Sequence, residues 1–178
     1  RKAHARGLCA AASFTPNSSE HFSGAKLLNS GELEVNMRFS LGGGNPNSDE
    51  RTPGTRGMGM QIKLPDGSMH VFTGNNFPAF AGKDVETFYG FLLSLADPAK
   101  TAEYIKNNPS VYANVVWNQK AGTPKSYANT EFFGLHTFFF TDEKGKQTKF
   151  RWHLKPDLGV ESYSKEDAAK LEEGFLLP

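Results

Sequence analysis

The chain has 178 residues, enough for one domain with a full core and too few for two. Hydrophobic residues make up 38% and charged residues 22%, a globular balance, and a formal net charge of +1 gives no general pull toward nucleic acid or an anionic membrane. A single cysteine, Cys9, excludes an internal disulfide and a cysteine-built metal site, and no apolar run approaches the roughly 20 residues of a transmembrane helix. The 15 phenylalanines against 5 tyrosines point to an apolar cavity or a ring-rich core.

Residues Arg1 to Phe14 alternate as an extended segment, with His4, Arg6, Leu8 and Ala10 on one side and Ala3, Ala5, Gly7 and Cys9 on the other. Taken alone, His4 reads as a core or edge histidine bonded to a carbonyl. Leu33 to Ser40 is the clearest strand: Leu33, Val35, Met37 and Phe39 point one way, Glu34, Asn36, Arg38 and Ser40 the other. That polar row is either a solvated face, as antiparallel strands usually have, or a surface that meets an anionic group. Leu41 to Gly59 is loop, and Gly42-Gly43-Gly44 lacks the Lys-Ser/Thr of a phosphate loop. Met58 to Leu64 alternates again, Pro65-Asp66-Gly67-Ser68 turns, and Met69 to Phe72 returns as the second arm of a hairpin.

The return strand runs into Gly74-Asn75-Asn76-Phe77-Pro78-Ala79-Phe80, two carboxamides among rings. A buried amide without a partner costs about 1–3 kcal/mol, so either a turn satisfies these side chains or something else bonds them. The period then changes. Asp84 caps a helix to Ala96 with Val85, Phe88, Leu92 and Leu95 on one face; Asp97-Pro98 starts a second helix and Pro109-Ser110 a third. Leu135 to Thr141 and Lys149 to Leu154 predict a second hairpin around Asp142 to Gly145, and Ser164 caps a helix over Lys165 to Glu173. Strands, consecutive helices, a hairpin and a last helix make a single α+β domain over residues 1–178, antiparallel with a helical insertion. About six strands that must hide their edges predict a barrel or a curved sheet.

Four pieces occur in order: Arg1-Lys2-Ala3-His4-Ala5-Arg6-Gly7, Arg38-Phe39-Ser40, Arg56-Gly57, and Gly74 to Phe80. Together they resemble the haem catalases, and most of all the minimal catalase-related peroxidases; Phe133 to Phe138 and Phe150-Arg151-Trp152-His153 fit the same family further along. The resemblance implies an antiparallel β-barrel holding haem b and decomposing hydrogen peroxide through a ferryl intermediate, with a second peroxide or an organic reductant closing the cycle. His4 matches the family's distal histidine, Asn75 its distal asparagine, and Ser40 the serine that bonds the histidine. Phe80 and Phe88 match rings over the pocket, Arg1 and Arg38 match arginines that pair with the haem propionates, and His136 is a cofactor-binding candidate read as a structural or proximal-side histidine rather than a ligand. The chemistry suits these types: a near-neutral imidazole moves a proton between peroxide oxygens, and an amide donates without titrating.

The family's axial tyrosine sits in an Arg-x-x-x-Tyr motif, and none of Tyr89, Tyr104, Tyr112, Tyr127 or Tyr163 has that arginine. The expectation is therefore no metal ligand in this chain, an axial tyrosine beyond Pro178, a catalase-like domain that is partial, and a missing C-terminal segment as a partner. Ala3 stands where the family has valine and Thr55 where it has a channel aspartate, which favours larger substrates and peroxidase work, organic hydroperoxides included. His153 and Lys155 match half of a dinucleotide site, and no bound NADPH is expected. The family implies a bacterial periplasmic home, with the cytoplasm as alternative, and allows a homo-oligomer. Two other readings stay open here: rearrangement of fatty-acid hydroperoxides on the same histidine and asparagine, in the manner of allene oxide synthase, and a non-catalytic barrel for an apolar ligand.

Overall fold

The structure, a computed structural model, describes residues 2–17 and 22–176. Four strands come first: β1 Gly7–Phe14, β2 Leu33–Leu41, β3 Arg56–Lys63 and β4 Met69–Asn75. Three helices follow, α1 Val85–Ser94, α2 Pro98–Asn107 and α3 Pro109–Ala121. The remainder holds β5 Thr123–Pro124, β6 Phe132–Phe133, β7 Phe138–Thr141, β8 Gln147–Phe150, β9 His153–Leu154, β10 Ser162–Tyr163 and α4 Lys165–Ala168.

One antiparallel sheet of 6 strands, ordered β1-β2-β3-β4-β6-β9, organises the chain, beside two-stranded sheets β5-β10 and β7-β8. Among the described residues β1 and β9 are the edges of that sheet, and it does not close on itself. The turn between β3 and β4 is the expected one, with Gly67 at φ 82° and Leu64 N donating to Ser68 O at 2.9 Å. The second hairpin differs from expectation. Its middle, β7 and β8, forms a separate ribbon, while β6, just before the predicted first arm, and β9, at the end of the second, join the main sheet.

The alternation of β2 places its two sides as the sequence predicts. Leu33, Val35, Met58, Met60, Ile62 and Phe72 are buried in a core completed by Leu27, Tyr127, Phe132 and Phe140. Half-buried Phe150 stacks on Phe140 with ring centroids 3.9 Å apart. The Asp84 carboxylate accepts from Thr87 N at 2.8 Å and that of Asp97 from Ala99 N at 2.9 Å, the caps read from sequence.

The predicted inner face of α1 is overturned: Val85, Leu92 and Leu95 are exposed, and Thr87 and Ser94 are buried. Close packing on α2 explains this, since Tyr104 lies against Gly90 and donates its hydroxyl to Thr87 O at 3.0 Å. The last helix is also shorter than expected, because Lys170 N and Leu171 N reach back only three residues, to Asp167 O and Ala168 O.

Candidate functional site

Side chains directly opposite one another in an antiparallel pair share a face, so register converts strand order into rows. Gly7 pairs Ser40, Ser40 pairs Gly57, Gly57 pairs Asn75, and Asn75 pairs Phe133. The next rows on that face are Cys9-Arg38-Gly59-Thr73 and Ala11-Asn36-Gln61-Val71. All of these except Gly7 line one cavity of about 990 Å³, which Ala3, His4, Phe80, Leu135 and His136 also border.

His4 arrives on this face by a break in the backbone rather than by alternation. Counting back from Leu8, alternation would put its ring on the packed side, and it lies just before β1 rather than within it. Instead His4 has φ 53°, a left-handed conformation that swings the imidazole beside Ser40 and Gly57. His4 Nδ1 and Ser40 Oγ are hydrogen-bonded at 3.0 Å, with the donor set by the imidazole tautomer. A Cβ on Gly57 would lie 2.6 Å from His4 Cε1 and Nδ1 and 3.0 Å from Ser40 Oγ, so only glycine leaves room for this ring.

The two adjacent amides part company. Asn76 is the satisfied turn: its Oδ1 accepts from Arg56 N at 2.8 Å, its Nδ2 donates to Gly54 O at 3.3 Å, and its carbonyl accepts from Trp117 Nε1 at 3.1 Å. Asn75 faces the cavity, and among the described residues nothing hydrogen-bonds its carboxamide.

Of the residues expected to hold a cofactor, Arg38, Phe80 and His136 line the cavity, whereas Phe88 stands behind Phe80 with ring centroids 4.6 Å apart. Arg1 lies outside the described residues. Arg38 Nη2 donates to His4 O at 2.9 Å and to Ala5 O at 3.3 Å, leaving Nε and Nη1 for other acceptors. Phe133 closes the Asn75 end, stacked on His153 at 4.2 Å, and His153 Nε2 lies 3.5 Å from Glu131 Oε1. No tyrosine is among the described residues that line the cavity, and none of the described His, Cys, Asp and Glu side chains form a metal-holding group.

Sequence reasoning passed over the row beside the site. Arg6, Leu41, Arg56 and Asn76 are joined in sequence by backbone bonds, and from the side away from the cavity Arg56 Nη2 donates to Glu50 O at 2.8 Å. Burial lowers the Arg56 guanidinium from its usual value and raises the Tyr127 phenol. Gly57 stood inside a quoted motif without a role; Glu50, beside Asp49 in a Gly-Pro-Asn loop, carried no signal.

Comparison with known proteins gives one direction. Residues 1–174 match the family model described as Catalase. A catalase-related peroxidase of Synechococcus elongatus is 29% identical over 99% of this chain and 55% of its own, and one of Mycolicibacterium paratuberculosis is 30% identical over 99% and 58%. A catalase of Staphylococcus epidermidis is 26% identical over 96% of this chain and 36% of its own. A solved bacterial catalase structure superposes with a TM-score of 0.86 at 23% identity, covering 99% of this chain and 37% of that one, which shows the fold. The chain thus spans a little over half the length of the catalase-related peroxidases it matches.

Proposed function

The chain belongs to the catalase family, and from that premise we propose that the protein decomposes hydrogen peroxide as a catalase-related peroxidase, with haem b lodged against the open face of the sheet. Members of this family generally use haem, and the residues present fit one. A flat macrocycle needs a broad slot with few protruding side chains; Gly57, Gly59, Ala11 and Thr73 floor a cavity of about 990 Å³, at the upper end of small-molecule sites. Phe80, Phe133 and Val71 supply apolar contact, and the Nε and Nη1 donors of Arg38 suit a propionate carboxylate. When bound, haem supplies the iron at which peroxide is reduced. The six-stranded antiparallel sheet with its open edges β1 and β9 supports the reading of a barrel.

The observation that carries the reading is the row Ser40-Gly57-Asn75 with the His4 ring bonded to Ser40 above a side-chain-free glycine. Ser40 orients the ring by holding Nδ1, so Nε2 takes the proton from one peroxide oxygen and returns it to the other. Asn75 donates from across Gly57 and keeps the same charge throughout. Ala3 at the mouth leaves room for an organic hydroperoxide or a bulky reductant.

The test loads the full-length protein, axial tyrosine included, with haem and follows the Soret band, oxygen release and oxidation of an organic donor. Replacing His4 by alanine lowers kcat by about 10²–10⁴-fold with the Soret band retained, the usual contribution of a positioned acid–base group. Absence of any Soret band overturns the reading. Isomerisation of a hydroperoxide without oxygen release replaces it with hydroperoxide rearrangement.

A further inference from the structure

A left-handed residue other than glycine is strained by about 1–2 kcal/mol and persists only where its surroundings over-determine it. His4 is the only such residue among those described, so what holds it is a physical question with an answer in the neighbouring side chains. From the sheet, Arg38 takes the carbonyls of His4 and Ala5. From the loop after β2, Gly42 O and Gly43 O accept from His4 N at 3.2 Å and Ala5 N at 3.0 Å. Two residues past His4, Arg6 is gripped on both sides: its carbonyl accepts from Leu41 N at 3.0 Å, its Nη1 donates to Ser48 O at 2.8 Å, and its Nη2 lies 3.0 Å from Glu50 Oε2.

Glu50 is 0% exposed. Its contact with Arg6 is an ion pair by distance, and neither carboxylate oxygen accepts a hydrogen bond among the described residues. A pair built this way does little for stability, because desolvation offsets the attraction and well-packed apolar substitutes commonly do as well or better. What it does fix is geometry.

We propose that Glu50 is a positioning residue for His4: by anchoring Arg6 it sets where the chain enters β1, so the left-handed step at His4 delivers the imidazole onto Ser40 and Gly57 instead of the packed face. The proposal rests on the peroxide reading only in naming His4 as the proton carrier.

The test needs no cofactor. The histidine rings of the 178-residue chain are labelled with 15N, the Nδ1 resonance of His4 is followed, and thermal unfolding is measured alongside. Ser40→Ala gives the resonance of a ring without its hydrogen bond. In the double variant Arg6→Leu/Glu50→Leu the expected result is a Tm within about 4 °C of the parent or above it, with the His4 signal moved to the Ser40→Ala position. Glu50→Asp recovers part of the parental signal. Should the double variant fail to fold, Glu50→Gln, which keeps shape and removes charge, is read in the same way. A folded variant whose His4 resonance stays at the parental position overturns the proposal. An inactive haem-loaded full-length protein, axial tyrosine included, whose His4–Ser40 signal is intact overturns the peroxide reading and leaves this one standing.

Discussion

On one face of strands β2 to β4 stand Val35, Met58, Ile62 and Phe72; at neighbouring positions of the same strands, on the other face, stand Asn36, Gly57, Gly59 and Thr73. The first set is buried under Leu27, Tyr127, Phe132 and Phe140. The second borders open volume and is made of side chains too small or too polar to fill it. A sheet that needed only stability would put bulk on both faces or water on one. Here the second face keeps a glycine, Gly57, where a Cβ would displace a histidine, so its composition serves room and reach rather than packing.

The largest expected effect tests whether the faces differ in energy. Ile62 is 0% exposed and Val71, on the open face, is 58% exposed. Ile62→Ala removes core contacts and leaves a cavity, costing about 2–5 kcal/mol, while Val71→Ala changes stability by less than about 0.5 kcal/mol. Chemical denaturation of the two variants checks this, and equal losses would erase the distinction between the faces.

An intermediate effect separates two glycines of the open face. The Gly57→Ala methyl overlaps the His4 ring, and relief of that overlap costs about 1–3 kcal/mol and tilts the ring off Ser40. At Gly59 the nearest heavy atom to a Cβ is 4.0 Å away, on Thr73, so Gly59→Ala is accommodated. Unfolding midpoints and the His4 Nδ1 resonance of both variants, measured side by side, sharpen the contrast: loss of the parental signal at residue 57, retention at residue 59. Equal tolerance at both positions would mean that the ring does not rest over Gly57.

Much of this was legible in the chain itself. The alternation of Leu33 to Ser40 separated the two faces before any pairing was known, and Asp84, Asp97 and Ser164 announced helix starts with the carboxylates and hydroxyl that cap them. The trio His4, Ser40 and Asn75 was legible as a family pattern. Register was not, because it depends on which strands pair across long stretches of chain; Gly57 gains its meaning only from lying between Ser40 and Asn75. The reversal at His4 was hidden too, since a single positive φ leaves no composition signal when the residue is not glycine. On α1, amphipathic spacing misled because the helix packs through small residues, Gly90 and Ser94, against Tyr104 and Thr101.

The smallest expected effect probes a histidine ring on the packed face. His70 pairs Ile62 across the sheet and sits against Phe72 and Phe140, with ring centroids 4.6 and 6.0 Å away. Burial lowers its pKa below the ordinary 6.5, so the folded state favours the neutral ring. Below that value the unfolded chain takes up a proton before the folded one does, and stability drops as pH falls through this window. The contribution is complete above pH 6.5. The expected outcome is therefore a Tm that falls more for the parent than for His70→Leu between about pH 7 and about pH 5, the difference isolating this ring from every carboxylate that titrates in both proteins. Parallel curves would mean that the apolar side of the sheet accepts a charged imidazole as readily as water does, and the contrast between the two faces would lose its electrostatic half.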